Sequence, residues 1–130
     1  MAKYAYPAVF TREENGQYSV VFHDLEGCYT CGDSLEEALE MAEDVLALVL
    51  YGYESDAREI PAPGSTPASL YENDFLNYVK CDTLEYRKMY NNKAVKKTLT
   101  IPEWLNESAT ALGINFSQVL QEALIQKLHV

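Results

Sequence analysis

The stretch from Val95 to Val130 constrains this chain most, because it describes a unit that cannot bury its own apolar side chains. From Val95 to Ile101 one parity is mostly apolar (Val95, Leu99, Ile101, with Lys97 the exception) and the other polar (Lys96, Thr98, Thr100), the period of a half-buried strand. Pro102 ends that strand and suits the first turn of a helix, where a missing N–H costs nothing. Leu105, Ala109 and Leu112 recur at helical spacing, and Gly113 stands where a helix closes on a left-handed residue. Asn115 followed by Gln118 has the form of a capping box and opens a second helix with Val119, Leu120, Ala123, Leu124 and Leu128 as its apolar stripe. One strand without a partner and two short helices cover too little surface to be stable alone. The pattern therefore predicts a dimer in which two copies of the strand pair as an antiparallel ribbon over four helices. Such a ribbon presents Lys96, Thr98 and Thr100 twice, and a two-stranded ribbon fits the major groove of DNA. Ser117 and the N–H groups near Asn115 would take a phosphate at the helix start.

Charge separates this stretch from what precedes it. The chain carries a net charge of -10 over 130 residues. Residues 1–92 hold 17 acidic and 6 basic side chains, a net of -11, whereas residues 93–130 carry a net of +1. The acidic excess lies wholly outside the proposed DNA-binding unit. It would repel DNA and steer a basic partner. A hydrophobic content of 48% with ten tyrosines argues for a folded core and against disorder. No apolar run is long enough to span a membrane and no signal-peptide pattern is visible, so a cytoplasmic protein without membrane contact is expected.

Residues 1–90 suggest an α+β domain with one helix packed on a small antiparallel sheet. Tyr4 to Thr11 alternates weakly, and Pro7 within it points to an edge position or a bulge. Glu14-Asn15-Gly16 is a hairpin turn. Gln17 to His23 is the returning strand, Asp24 to Gly27 a turn, and Cys28 to Thr30 a short third strand. Ser34-Leu35-Glu36-Glu37 is a capping box that opens a helix to about Tyr51, with Gly52 as its stop. Ser55 to Ala68, with Pro61, Pro63 and Pro67, is a loop containing an extended Ile60-Pro61-Ala62-Pro63 stretch. Leu70 to Cys81 gives one or two further strands, Asp82 to Tyr90 a helical turn, and Asn91-Asn92-Lys93 a linker. The domains expected are thus 1–90 and 93–130.

Two family resemblances follow from these residues. Strand parity, Pro102 after Ile101, Gly113 and the Asn115-Phe116-Ser117 helix start resemble the ribbon-helix-helix DNA-binding domains. The N-terminal part resembles the HicB antitoxins, through Tyr6-Pro7-Ala8-Val9-Phe10, Tyr18 to Cys28, Gly32-Asp33-Ser34-Leu35-Glu36-Glu37-Ala38, the Ile60-Pro61 loop and Tyr86. His23 and Glu26 depart from that pattern, where the family more often has proline. The resemblance implies a truncated, inactive RNase H-like domain that binds a small basic HicA-type ribonuclease and masks its catalytic histidine. It further implies a C-terminal domain that binds operator DNA and autoregulates the pair. The expected partners are therefore that toxin, operator DNA and further copies of the chain, as a dimer or higher oligomer.

Other constellations carry less. Cys28-Tyr29-Thr30-Cys31 has metal or redox spacing, but on a strand its two thiols point to opposite faces, and no metal or cofactor is expected. Asp24, Glu26 and Asp33 surround the turns. A two-metal nuclease would need such carboxylates held rigidly, and none lies mid-strand in the first two strands. As a solvated acidic rim they are candidates for toxin contact. His23 and His129 have no evident partner for acid–base work, and no catalytic residue is expected. The alternatives are a ribbon-helix-helix regulator with a ligand-sensing N-terminal domain, and an RNase H-like enzyme.

Overall fold

Side chains alternating along Lys3–Arg12 build the central strand, β1, of the N-terminal sheet. A computed structural model describes residues 2–130. The strands β1 (Lys3–Arg12), β2 (Tyr18–Val21), β3 (Tyr29–Gly32) and β4 (Asp74–Asp82) form one antiparallel sheet in the order β3-β2-β1-β4. The helix α1 (Leu35–Ser55) connects β3 to β4, and α2 (Thr83–Tyr90) follows β4 directly. The fold is α+β, as the sequence suggests. Leu70 to Cys81 yields a single strand, and the helical turn expected after Asp82 is a full two-turn helix.

One face of the sheet meets α1. Tyr6, Ala8 and Phe10 of β1 and Val20 of β2 lie against Ala38, Ala42, Leu46 and Leu50 of the helix, all buried. Burying each large apolar side chain contributes roughly 1.5–3 kcal/mol. Phe10 also stacks on Phe75, directly opposite in the ladder, with ring centroids 5.1 Å apart. Pro7 sits mid-strand, in the half of β1 that pairs with β4 alone, since the β1–β2 ladder starts at Val9. Its missing N–H therefore interrupts nothing on the β2 side, which is the edge-like position expected of it.

The Asn15-Gly16 turn forms, with Glu13 N–H donating to the Gln17 carbonyl at 2.8 Å and the Asn15 side chain accepting from Gln17 N–H. Ser34 caps α1 by accepting from Glu37 N–H at 3.1 Å. The helix does not stop at Gly52. It runs on to Ser55, because the next residues are held by tertiary contacts, and it ends at Asp56 before Ala57 in the left-handed region. Gly52 alone is a weak stop when later side chains have bonds to make.

Glu54 is the largest of those contacts. Its carboxylate accepts from Tyr4 Oη at 2.8 Å, Thr83 Oγ1 at 3.0 Å and the Arg87 guanidinium at 3.0 Å. One side chain thus joins β1, the end of α1 and the start of α2. Burial works to raise its pKa, but the hydrogen bonds it accepts, these three among them, outweigh burial and hold it down to about 2. Thr83 Oγ1 also accepts from Ala2 N–H at 2.8 Å, tying the start of the chain to the same point.

The chain divides into two compact units after Lys93. The second contains α3 (Glu103–Ala111) and α4 (Phe116–Leu128). Gly113 takes φ 67 between them, the left-handed turn expected there. The strand expected over Val95–Ile101 is not formed. Residues 94–102 enter no ladder, because a strand needs a neighbour and a single copy supplies none.

Two outcomes follow. A Cβ at Gly32 would lie 2.4 Å from the Ala38 backbone nitrogen, where α1 crosses β3. Gly32→Ala should cost about 1–3 kcal/mol or more in urea unfolding, since backbone rather than a flexible side chain must move. Glu54 has a folded pKa below its ordinary 4.5, so its contribution is complete above pH 4.5 and disappears as pH falls through about 2. Glu54→Gln should remove about 2–3 kcal/mol at pH 7 and flatten the acid limb of a stability–pH profile.

Candidate interaction surfaces

Three surfaces of this chain leave apolar or charged side chains open to solvent. The first is the sheet face away from α1. Strand parity puts Val9 and Thr11 of β1, Val21 of β2, Tyr29 of β3 and Leu76 and Tyr78 of β4 there. Val21, Leu76 and Tyr78 are exposed, while Val9 is buried. Thr11 Oγ1 donates to Asp74 across the ladder at 2.6 Å. Between this face and the 64–70 segment lies a groove of about 200 Å³ lined by Pro7, Val9, Leu70, Leu76 and Tyr78.

The position of that segment explains Asp24. Its carboxylate accepts from Gly64 N–H at 2.8 Å, Thr66 N–H at 2.7 Å and Ser65 Oγ at 3.3 Å. Asp24 is buried. The expectation that it forms part of an exposed toxin-facing rim is therefore corrected. A turn residue next to a proline-rich loop serves as the loop's anchor, because its two oxygens satisfy backbone donors that nothing else reaches. Tyr6 Oη donates to the Pro61 carbonyl and fastens the other end of the same loop. Glu26 and Asp33 do stay exposed, and Asp33 accepts from the Gln17 amide at 2.8 Å. The three carboxylates do not converge: among the described residues no three His, Cys, Asp or Glu side chains are placed to hold a metal ion. Cys28 is buried and Cys31 exposed, as opposite strand faces require. Burial pushes the Cys28 and Cys81 thiols up to about 12, which keeps them unreactive.

The second surface is the groove between α1 and α2, about 230 Å³, with Glu43, Asp44, Asp82 and Glu85 around a floor that includes Ala47 and Tyr86. Tyr51 and Tyr86 rings lie 5.2 Å apart, and Tyr86 and Tyr90 4.7 Å apart. No local sequence pattern indicated this groove, because Asp82 and Glu85 are far from Glu43 in the chain. Of its lining residues, Tyr86 belongs to the HicB resemblance.

The third surface is the whole of residues 94–130. Among its described residues none is buried. Val95, Trp104, Leu112 and Leu128 are each at least 66% exposed. Lys96, Thr98 and Thr100 are exposed on one parity of the 94–102 segment. Asn115 caps α4, its side chain accepting from Gln118 N–H at 3.1 Å. The reciprocal bond of the expected capping box, from Asn115 N–H to the Gln118 side-chain oxygen, is not formed, and the Gln118 amide nitrogen donates to Glu122 at 3.2 Å. Ser117 lies exposed in the first turn of α4. Among the described residues no helix is long and apolar enough to cross a membrane.

Asp24→Ala should loosen the 61–73 loop without removing any core side chain. Limited proteolysis is expected to cut within that loop severalfold faster, with a stability loss of about 1–3 kcal/mol from donors left unsatisfied.

Comparisons with known proteins agree with this arrangement. Antitoxin HicB 2 of Photorhabdus laumondii subsp. laumondii is 40% identical over 67 residues, covering 52% of this chain and 48% of that protein. The chain spans half or less of the length of the curated HicB relatives it matches. A chain in a toxin–antitoxin complex from Streptococcus pneumoniae superposes with a TM-score of 0.58 at 28% identity, covering 96% of this chain and 99% of that one. The crystal structure of antitoxin HicB3 gives a TM-score of 0.51 at 26% identity over 95% and 97% of the two chains. A family model described as the HicB-like antitoxin of bacterial toxin–antitoxin systems matches residues 6–122, taking in the sheet, α1, α2 and most of the C-terminal unit, and this chain belongs to that family.

Proposed function

We propose that this chain binds and occludes a small basic HicA-type ribonuclease through residues 1–90, and represses its own operon by binding operator DNA through residues 93–130. It acts by covering surfaces and has no catalytic step of its own. The observation that carries this reading is a double division at one boundary. The N-terminal unit buries its own core and holds the acidic excess. The C-terminal unit buries none of its described residues and carries a small positive net charge.

An acidic, self-sufficient unit suits a basic protein partner, whose encounter it accelerates. A unit of two helices and an unpaired extended segment needs a second copy to cover Trp104, Leu112 and Leu128. Pairing the two 95–101 segments supplies the missing ladder and sets Lys96, Thr98 and Thr100 on one exposed face, sized for a major groove. The N–H groups capped by Asn115, together with the Ser117 hydroxyl, suit a DNA phosphate at the start of α4. The basic content of this unit is thin, so the complex with a basic toxin should bind DNA more tightly than the antitoxin alone. Glu26 and Asp33 remain toxin-facing candidates in the N-terminal unit, whereas the Asp24 oxygens are already engaged.

Co-expression with the neighbouring reading frame tests both halves. A basic protein of under about 100 residues should co-purify, as the size of a toxin that one small domain can mask. The purified complex should shift operator DNA in a gel. Thr98→Ala and Thr100→Ala should each weaken that shift by about tenfold, the scale of one lost base contact. Unchanged operator binding by both would remove the ribbon assignment, and the absence of any co-purifying basic protein would remove the toxin assignment.

A further inference from the structure

We infer that the groove between α1 and α2 is where the basic toxin docks, receiving lysine or arginine side chains on Glu43 and Asp44 and an apolar side chain on Met89 and Tyr90. The inference rests on the toxin-binding reading above and adds the surface to it.

The argument begins with α1 itself. The helix contains no lysine or arginine, and Glu36, Glu40 and Asp44 follow one another at i,i+4 spacing. Like charges at that spacing destabilise a helix. Across the groove, α2 and its cap add Asp82 and Glu85. Asp82 caps α2 by accepting from Leu84 N–H at 2.9 Å. The Glu43 and Asp82 charges reach the groove floor, where they add to burial in raising the Cys81 thiol. Of the cations nearby, Arg87 is directed to Glu54 at 3.0 Å, while Lys88 pairs with Glu85 on the exposed rim at 3.2 Å, so Glu43 and Asp44 are the rim carboxylates left for a guest. The groove thus concentrates negative charge at a cost that a cationic guest would relieve.

The floor is not merely acidic. Met89 and Tyr90 are 70% and 66% exposed, more than ordinary packing of a short helix requires. The tilted Tyr86 and Tyr90 rings offer an aromatic face on α2, and this fold already seats guanidinium groups on tyrosines of α1, with Arg58 over Tyr53 at 4.2 Å and Arg87 over Tyr51 at 4.5 Å. An apolar floor with a charged rim is the anatomy of a protein interface. The open sheet face offers apolar area too, but its charge does not select a basic partner. Asp74 there is engaged by Thr11 and by Tyr71 N–H, and Lys80 shares the strand face.

The test uses the full-length chain and, as probe, the basic protein that co-purifies with the wild type. Titration calorimetry compares wild type, Glu43→Lys/Asp44→Lys, Met89→Asp and the open-face variant Leu76→Asp. The double charge reversal and Met89→Asp should each weaken binding by about tenfold or more, and added salt should weaken the wild type more than the double variant. Thermal unfolding keeps the result interpretable. Asp44→Lys places a cation at i+4 from Glu40, so the double variant should melt no lower than wild type even as it loses the partner. Groove variants that bind as tightly as wild type would overturn the docking site while leaving the antitoxin reading intact, as would loss of binding in Leu76→Asp alone. If wild type itself retains no basic protein, the antitoxin reading and the docking site fall together.

Discussion

The N-terminal unit depends on a half-buried carboxylate near the end of its one long helix. Glu54 receives a phenol from β1, a hydroxyl from the first residue of α2 and a guanidinium one turn later. A charge partly removed from water must be repaid by hydrogen bonds of good geometry, and here they come from both β1 and α2. The result is that β1, α1 and α2 cannot shift independently. The groove between α1 and α2 is consequently a preformed feature, whose two walls are pinned a few residues from its mouth. Binding to a surface already held in shape avoids the ordering cost that a loose pair of helices would impose on a partner.

A second carboxylate does comparable work on the opposite side of the sheet. Asp24 gathers three donors from the 64–66 stretch, and Tyr6 holds the Pro61 carbonyl. The long connection between α1 and β4 is therefore fastened over the sheet, and Val9 is buried on a face that otherwise stays open. Both devices use acidic side chains for cohesion. The strongly negative composition of this unit is accordingly not all surface: part of it is internal fastening, and only the remainder is offered to a partner.

What the sequence made legible was local. The Asn15-Gly16 turn, the Ser34 cap, the alternation of β1 and the left-handed Gly113 depend on neighbours within a few residues, and each stands where the spacing indicates. The misreadings are those in which a distant residue decides. Gly52 does not end α1 because Glu54 beyond it has bonds to make with β1 and α2. Asp24 does not face solvent because a loop 40 residues later folds back onto it. The α1–α2 groove draws its acidic rim from two separated segments, so no window of sequence could display it. The 95–101 segment is a different case. Its alternation is legible, yet alternation alone does not make a strand, and in the single chain the segment enters no ladder.

That segment and the helices after it differ from the rest of the molecule in the kind of equilibrium that holds them. The N-terminal unit closes its core with its own side chains, so its folding is unimolecular and indifferent to dilution. Residues 94–130 bury none of their described side chains, and whatever covers them enters their folding equilibrium as a reactant. In the proposed dimer, one half of the chain is thus set by temperature and pH, while the other is also set by concentration. Dilution or consumption of such a dimer takes the cover from the C-terminal unit first, and its persistence then depends on how much of it there is.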